Sequence, residues 1–300
     1  MLTGMQVAII GGDLRQIEVI RKLSTLDTSL YLIGFDQLDD GFLGVENKTF
    51  ETVDTDLLDA VILPVNGVNH NGEADTVFSG HPQVLEEKWL AKTPEHLKIY
   101  TGIANKTLKN IAQQSEKSLV ELMNRDDLAI YNSIPTAEGA VMLVIQHTNV
   151  TIHRSNVLVT GFGRVGQTIA RTFASLGAHV SVAAKERELL ARIYEMNLTP
   201  IPLNSLNDAV SEADVVINTI PAHILTSTVI AKMQNHVLIL DIASKPGGTD
   251  FNFANKRGIH AILTPGLPGL VAPKTAGIQL AELLSTLLEK QWNDQKGGRH

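Results

Sequence analysis

Short runs of apolar, mostly β-branched residues alternate with longer stretches of helical periodicity along most of the chain. Runs such as VLVT and VVINT are continuously apolar, which is typical of parallel strands covered by helices on both faces. Two such series are present, so the pattern predicts an α/β protein with two Rossmann-like, doubly wound parallel-sheet domains. The first series predicts strands at 6–10, 30–34, 60–64 and 97–102, with helices at about 14–26 and 106–116. The second predicts strands at 156–160, 179–183, 215–219, 237–241 and 260–263.

The segment YNSIPTAEGAVMLVIQHTN lies between the two series. Pro135 followed by Thr136, a suitable N-cap, predicts a connecting helix over 137–147. A final helix is predicted over 273–291, and the polar tail 293–300 is expected to fray. We therefore expect two domains joined by crossing helices, with the active site in the cleft at this hinge. The predicted division is 1–135, completed by the helix at 273–292, and 136–272.

A glycine-rich motif, GFGRVG, stands directly after the predicted strand NVLVT and directly before a predicted helix. In this context the first glycine permits a tight turn, the second lets the backbone approach a pyrophosphate, and the third packs the helix on the strand. The unpaired amides of the helix N-terminus would hold the phosphates. The motif predicts a dinucleotide site, and the alternative is a glycine-rich turn with no ligand. Its residues are Gly161, Gly163, Arg164, Val165 and Gly166.

The end of the next strand, VAAKER, addresses the choice between NAD and NADP. A carboxylate at this point would hydrogen-bond the adenosine ribose of NAD, whereas the 2′-phosphate of NADP needs cations. The strand ends in alanines and is followed by Lys185 and Arg187, which favours NADP. The alternative is that both cations begin a solvated helix while Glu186 takes the ribose.

Further cofactor contacts are predicted where later strands end, because ligands of open α/β sheets bind at the carboxyl edge. The motif INTIPAH is expected to flank the ribose groups, LILDIASK to lie nearer the reacting ring, and LTPGLPG to form an ordered loop over the nicotinamide. For the first of these, ordinary strand-end hydrogen bonding is the alternative. The predicted residues are Asn218, Thr219, Ile220, Pro221, Asp241, Ser244, Lys245, Pro265 and Gly266.

The first domain begins with IIGGDLRQ, which lacks the full fingerprint. Its helix N-terminus could bind an anion with help from Arg15, and the alternative is a tight turn with Asp13 as the N-cap. The later loop VNGVNHNGEAD is polar, and Asn69, His70, Glu73 and Asp75 are expected to face the interdomain cleft; for each of them the alternative is an ordinary loop residue without a catalytic role.

Composition narrows the function classes. The net charge of -7 and the pI of 5.8 do not favour nucleic acid or an anionic membrane as partner. The absence of cysteine excludes disulfides and thiolate metal ligands, and no metal site is predicted. Met1–Ile10 has the character of a strand rather than a signal peptide, and no apolar segment reaches the length of a membrane helix. A cytoplasmic protein is expected.

Taken together, GGDLRQ, GFDQLD, IYNSIPTAEG, GFGRVG, NTIPA, LDIASKPGGTDF and TPGLPGLVAPKTAG resemble the A-type subunit of bacterial dipicolinate synthase over nearly the whole chain. The resemblance implies oxidation of a cyclic dicarboxylate from the lysine pathway to dipicolinate with NADP as acceptor, in the mother cell of a sporulating bacterium. It also implies a flavoprotein-like, B-type dipicolinate synthase subunit as partner, and a homo-oligomer is expected. The sequence departs from the family at VAAKER, where a Gly-Ala-Arg-Ser type of stretch is expected, which leaves the 2′-phosphate to Lys185 and Arg187.

Such a reaction needs positioning more than acid-base catalysis, because aromatisation drives the loss of a hydride and a ring proton. Arg15 and Lys274 are the predicted carboxylate-binding residues, and His70 is the predicted base. Two alternatives are a two-domain 2-hydroxy or amino acid dehydrogenase and a non-catalytic NADP-binding subunit. The chain lacks a clear Arg, Glu and His set in the expected order, which counts against the 2-hydroxy or amino acid dehydrogenase.

Overall fold

The computed structural model of the chain describes residues 1–38 and 41–297 and divides into two compact units. Unit 1 contains residues 1–128 and those from Pro273 onward, and unit 2 contains Ala129–Ala272. Asp39, at the end of the GFDQLD motif, and the tail residues 298–300 lie outside the described residues.

Unit 1 is built on a parallel sheet. Its strands are Gln6–Ile10 (β1), Ser29–Ile33 (β2), Val45–Lys48 (β3), Ala60–Ile62 (β4), Glu73–Ala74 (β5), Gln83–Val84 (β6), Lys98–Thr101 (β7) and Ser118–Glu121 (β8). Its helices are Leu14–Ser24 (α1), Glu87–Leu90 (α2), Lys106–Gln114 (α3) and Pro273–Gly297 (α11), while Asp126–His147 (α4) begins in unit 1 and ends in unit 2. Six strands follow the order β3-β2-β1-β4-β7-β8, and β5 pairs with β6 as a separate antiparallel ribbon.

Unit 2 has the same plan. Its strands are Asn156–Thr160 (β9), His179–Ala184 (β10), Thr199–Pro202 (β11), Val215–Asn218 (β12), Leu238–Asp241 (β13) and His260–Leu263 (β14). Its helices are Arg164–Ser175 (α5), Arg187–Glu195 (α6), Leu206–Ala209 (α7), Ser227–Ile230 (α8), Phe251–Lys256 (α9) and Leu267–Val271 (α10). The strand order β11-β10-β9-β12-β13-β14 is that of a doubly wound nucleotide-binding sheet, which confirms the predicted fold class. Short 3-10 turns occupy Thr55–Leu57, Leu122–Asn124, Leu203–Ser205 and Val210–Glu212.

Besides the two-residue strands β5 and β6, three strands escaped prediction, and all three lie at sheet edges. They are β3 (VENK), β8 (SLVE) and β11 (TPIP), and their residues are half-buried or exposed. Edge strands tolerate charge and proline, because one side of the backbone has no ladder partner. Their sequences therefore lack the apolar run that identifies a central strand.

The central strands supply the core on both faces of each sheet. In β1, Val7 and Ile9 pack in the cluster that contains α1 and α11, while Ala8 and Ile10 pack in the opposite cluster. The side chains of β9 divide between two clusters in the same way. Helices therefore cover both faces of each sheet.

Helix α4 corrects the prediction that a helix begins after Pro135. It starts at Asp126 and continues through Pro135 to His147. Acidic residues in its first turn favour the earlier start, and Thr136 does not cap a helix but donates its hydroxyl to the Asn132 carbonyl at 2.7 Å. The division between the two units also falls inside this helix, after Leu128.

The same helix changes the expectation about apolar length. In the described part of the chain, α4 alone is long and apolar enough to cross a membrane by length and composition. Half of its apolar window is buried within the protein. The prediction that no segment reaches this length was wrong because Pro135 had been taken as a break.

Helix α11 is also longer than predicted. It continues to Gly297, beyond the predicted end at 291, so residues 293–297 of the tail expected to fray are helical.

Candidate functional site

The glycine-rich turn of unit 2 connects β9 to α5 as the fingerprint predicts. Gly161 has φ +92°, which favours glycine, and a Cβ there would lie 2.5 Å from Thr219 Oγ1. A Cβ at Gly166 would overlap the Gly161 carbonyl oxygen. The first and third glycines are therefore required by the fold itself.

Gly163 differs from these two glycines. Its backbone is extended, with φ -81° and ψ -163°, and a Cβ at this position would meet no atom within 4 Å. The fold thus does not require glycine here, but glycine leaves the space in front of α5 open. Gly163 is also the N-cap of this 12-residue helix and offers no side-chain acceptor to the first-turn amides. An open cradle at an uncapped helix N-terminus fits a pyrophosphate.

The predicted 2′-phosphate cations follow β10. This strand ends at Ala184, one residue later than predicted, and its last two alanines are buried. Lys185 and Arg187 are exposed on either side of Glu186, the N-cap of α6, whose side chain makes no capping bond. Neither cation has an ion pair with another described residue.

The ends of three neighbouring strands are joined by a chain of buried polar side chains. Thr160 Oγ1 donates to Asn218 Oδ1 at 2.7 Å, and Asn218 Nδ2 donates to Asp241 Oδ1 at 2.9 Å. The register explains this arrangement, because Asn218 pairs with Thr160 on one side and with Asp241 on the other. Asn218 makes two further bonds to the backbone of Ile220, so all its polar atoms are used inside the protein.

Asp241 fastens the loop that follows β13. Its carboxylate, completely buried, also accepts bonds from Ala243 N at 3.3 Å, Gly248 N at 2.7 Å and Thr249 Oγ1 at 2.6 Å. Ser244 and Lys245 lie exposed on the loop that these bonds hold. In this structure Asn218 and Asp241 therefore position the loops that carry other predicted contacts.

The remaining predicted cofactor residues surround these strand ends. Thr219 donates its hydroxyl to the Thr160 carbonyl at 2.8 Å and so stabilises the end of β9, where the glycine-rich turn begins. Ile220 is half-buried, whereas Pro221, Pro265 and Gly266 are exposed. Gly266 begins α10.

A cleft of about 290 Å³ is lined by residues from the segments 203–207, which follow β11, and 224–229, which include the start of α8; sequence reasoning placed no residue there. Its polar side chains include Asn204, Asn207, Thr226 and Thr228.

Unit 1 contains a second cleft, at the turn from β1 to α1. It has a volume of about 390 Å³, and its charged side chains are Asp13, Arg15 and Asp75. Asp13 is the N-cap of α1 and accepts a bond from the Arg15 amide at 3.0 Å. The alternative in which Asp13 caps the helix thus describes the observed turn.

Arg15 lines this cleft although the residue is only 7% exposed. Asp13 holds the guanidinium side-on, with Nε 2.9 Å from Oδ1 and Nη2 2.6 Å from Oδ2. A guanidinium has five N–H donors, so Nη1 and the second hydrogen of Nη2 remain for an end-on contact. Burial opposes ionisation of Asp13, but its bonds to Arg15 outweigh that effect and lower the pKa of the Asp13 carboxyl.

The other residues predicted for unit 1 are not part of this cleft lining, except for Asp75. His70 is exposed, and its carbonyl accepts a long bond from the Thr107 hydroxyl. Glu73 accepts a bond from Asn69 Nδ2 at 2.6 Å. Lys274 is exposed in the first turn of α11.

The two halves of the chain match different family models. Residues 6–123 match the N-terminal domain of the A-type dipicolinate synthase subunit. Residues 138–245 match the NAD-binding domain of D-isomer-specific 2-hydroxyacid dehydrogenases. The second match covers the glycine-rich turn and both predicted cations, and it identifies unit 2 as a nicotinamide dinucleotide-binding domain.

Full-length relatives give the same result. The chain is 54% identical over 288 residues to the A-type dipicolinate synthase subunit of Bacillus subtilis (strain 168), covering 96% of this chain and 97% of the relative. The crystal structure of the same subunit type from Bacillus halodurans has a TM-score of 0.95 at 54% identity and covers 96% of this chain and 99% of that one. The crystal structure of the corresponding dipicolinate synthase chain from B. subtilis has a TM-score of 0.94 at 52% identity, with coverages of 98% and 99%.

Proposed function

This chain belongs to the family of A-type dipicolinate synthase subunits, and from that premise we propose that it oxidises dihydrodipicolinate to dipicolinate with NADP as the hydride acceptor. In this proposal the ring derives from 4-hydroxytetrahydrodipicolinate of the lysine pathway. The single observation that carries the redox role is the open cradle at Gly163 in a domain of dehydrogenase type.

Unit 2 holds the cofactor in this proposal. The first-turn amides of α5 bind the pyrophosphate, and Asn218 and Asp241 fix the loops around the dinucleotide without touching it. The nicotinamide, when bound, supplies the hydride acceptor. Ser244, Lys245 and the exposed turn before α10 are the candidate neighbours of the ring.

We assign NADP rather than NAD because Lys185 and Arg187 follow β10 without intramolecular ion pairs in the described chain. Two cations so placed favour a 2′-phosphate. Replacing both by alanine should remove most of the preference for NADP, because each charge-assisted bond is worth about 1.5 to 3 kcal/mol. Arg192→Ala, on the same helix but paired with Glu195, is the matched control. Equal affinity of the unmodified chain for NAD and NADP would refute the assignment.

Unit 1 holds the dicarboxylate in this proposal. Arg15 lines the cleft, and a guanidinium suits a carboxylate better than an ammonium does. Lys274 is the candidate for the second carboxylate. If a complex with pyridine dicarboxylate showed Arg15 engaged only in its ion pair with Asp13, Lys274 or Lys245 would take over its role. Arg15→Lys should therefore impair turnover almost as strongly as Arg15→Ala, while NADP affinity stays nearly constant.

Three further elements of the proposal come from the family. The relatives are named as one subunit of a synthase, which indicates a partner, and we propose that this partner is the flavoprotein-like, B-type dipicolinate synthase subunit. We also propose a homo-oligomer located in the cytoplasm of the mother cell.

The decisive experiment supplies the enzymatically generated lysine-pathway intermediate and NADP or NAD to the purified chain, with and without the B-type partner. Formation of pyridine dicarboxylate and NADPH, both followed by absorbance, is the expected result. Nucleotide binding without turnover in either condition would identify a non-catalytic subunit. Turnover of acyclic 2-oxo acids instead would identify a 2-hydroxy or amino acid dehydrogenase.

A further inference from the structure

We propose that Asp75 is the base that accepts the ring proton in this reaction, an inference that rests on the proposed function. Of the three charged side chains in the unit 1 cleft, Asp13 and Arg15 are paired with each other. The Asp75 carboxylate has no hydrogen bond or ion pair with any described residue, and the residue is exposed. It is therefore the one described carboxylate in the cleft that is available to a ligand.

The backbone of Asp75 is fixed to the cleft floor. Its carbonyl accepts a bond from Gly12 N at 2.6 Å, and Val77 N donates to the Gly12 carbonyl at 3.0 Å. Gly11 permits this close approach, because a Cβ there would lie 2.6 Å from the Asp75 carbonyl oxygen. The next residue, Thr76, donates its hydroxyl to the Gly34 carbonyl at 2.7 Å. These bonds hold the backbone that carries the Asp75 side chain at a defined place in the lining of the cleft, which Arg15 also lines, and a general base has to be positioned within reach of the proton that it accepts.

The step balances without another reactant. One ring C–H bond breaks, and its hydrogen leaves as a hydride with both electrons to the nicotinamide of the proposed function. The neighbouring C–H bond breaks, its electron pair completes the aromatic ring, and its proton goes to the Asp75 carboxylate. Because Asp75 is exposed, the proton can pass to water.

The Asp13–Arg15 pair is formally neutral, so Asp75 contributes a net negative charge next to an anionic ligand. This charge opposes binding of the dicarboxylate substrate and of the dicarboxylate product alike, and a proton accepted by Asp75 during the reaction removes the repulsion. His70, the base predicted from the sequence, does not line this cleft.

The first test is Asp75→Asn in the full-length chain, assayed with whichever partner the unmodified chain needs. We expect kcat to fall about 100-fold or more, the usual contribution of a general base, with a much smaller change in KM. The unmodified chain should lose kcat as the pH falls, because the base becomes protonated, and this acid limb should be absent from the variant. Asp36→Asn removes another exposed carboxylate of unit 1 outside the cleft and should retain the wild-type profile.

The second test needs no turnover. Pyridine-2,6-dicarboxylate is titrated calorimetrically into the chain in buffers of different ionisation enthalpy near pH 5. Proton uptake should accompany binding to the unmodified chain, and Asp75→Asn should abolish the uptake and tighten binding severalfold. Wild-type kcat and pH profile in the variant, or unchanged proton uptake, would overturn the role of Asp75 while the function stands. No turnover by the unmodified chain would refute the function itself, and with it this role.

Discussion

Gly163→Val tests the nucleotide site most directly, because the structure separates its effect on binding from its effect on folding. Valine adopts extended backbone readily, and a Cβ at this position meets no atom within 4 Å. The free energy of unfolding without nucleotide should therefore change by less than about 1 kcal/mol. The added side chain fills the cradle, so nucleotide affinity should be lost.

The magnitude follows from linkage between binding and folding. NADP at 100 times its dissociation constant should stabilise unit 2 of the unmodified chain by about 2.7 kcal/mol. For a domain of this size, that corresponds to a rise in Tm of roughly 5 to 10 °C. Gly163→Val should show the same Tm without NADP and almost no rise with it, as measured by calorimetry.

Gly166→Ala is the matched variant of the same turn. Its Cβ would overlap the Gly161 carbonyl oxygen, and the overpacking should reduce the free energy of unfolding by about 1 to 3 kcal/mol. The Tm without nucleotide should therefore fall. A full NADP-induced rise in Gly163→Val would mean that the dinucleotide binds elsewhere. A large loss of stability in that variant without nucleotide would refute the steric argument.

Three further predictions concern stability, each measured by denaturant unfolding. Gly277→Ala places a Cβ 2.6 Å from the Arg15 carbonyl oxygen and should destabilise unit 1 by about 1 to 3 kcal/mol. Gly297→Ala adds a Cβ in open space and should not change the stability, so equal unfolding midpoints for the two variants would contradict this prediction. Asp241→Ala leaves buried donors unpaired and should reduce the free energy of unfolding by about 3 kcal/mol or more. An unfolding midpoint equal to that of the wild type would refute the role of Asp241 in holding the loop after β13. The lowered pKa of Asp13 implies stability that is present above the ordinary carboxyl pKa of about 4 and is lost as the pH falls through the lower folded value. Asp13→Asn should remove this dependence, and an unchanged acid limb would contradict it.

The central strands and the glycine-rich turn could be predicted because their signals are local. A buried strand such as NVLVT has to be apolar throughout, and the fingerprint glycines follow it directly. The edge strands could not be predicted, because VENK and TPIP are shaped by exposure rather than by burial. The prediction that a helix begins after Pro135 was wrong, because a helix stabilised by its own first turn and by packing tolerates the loss of one backbone hydrogen bond.

The roles of polar residues at strand ends depend on register, which a sequence does not display. Asn218 and Asp241 were predicted as cofactor contacts, yet each uses its polar atoms on a neighbouring strand or loop. Thr160 and Thr249, their partners, were missed. Thr160 precedes the fingerprint directly, and that adjacency was the available signal. The pairing of Asp13 with Arg15, only two residues apart, was likewise visible as a possibility.

The two units make different use of the same junction between a first strand and a first helix. Gly11 N bonds the Ile33 carbonyl in unit 1 as Gly161 N bonds the Ala183 carbonyl in unit 2, both at 2.9 Å. The next positions diverge, because the helix N-cap is Asp13 in unit 1 and Gly163 in unit 2.

The Asp13 carboxylate at the N-cap accepts the Arg15 amide of the first turn of α1, and its negative charge repels a phosphate. The segment 75–78 also bonds across the ends of β1 and β2, over the crevice that a dinucleotide would need. What remains in unit 1 is a cleft of about 390 Å³, near the lower limit for small-molecule sites, with a guanidinium fixed at its wall. The helix N-terminus that binds an anion directly in a nucleotide domain here holds its own anion, and that anion orients the arginine. The N-terminus of α1 therefore lacks the open cradle found at Gly163, and unit 2 is the part of the chain that matches a dinucleotide-binding domain.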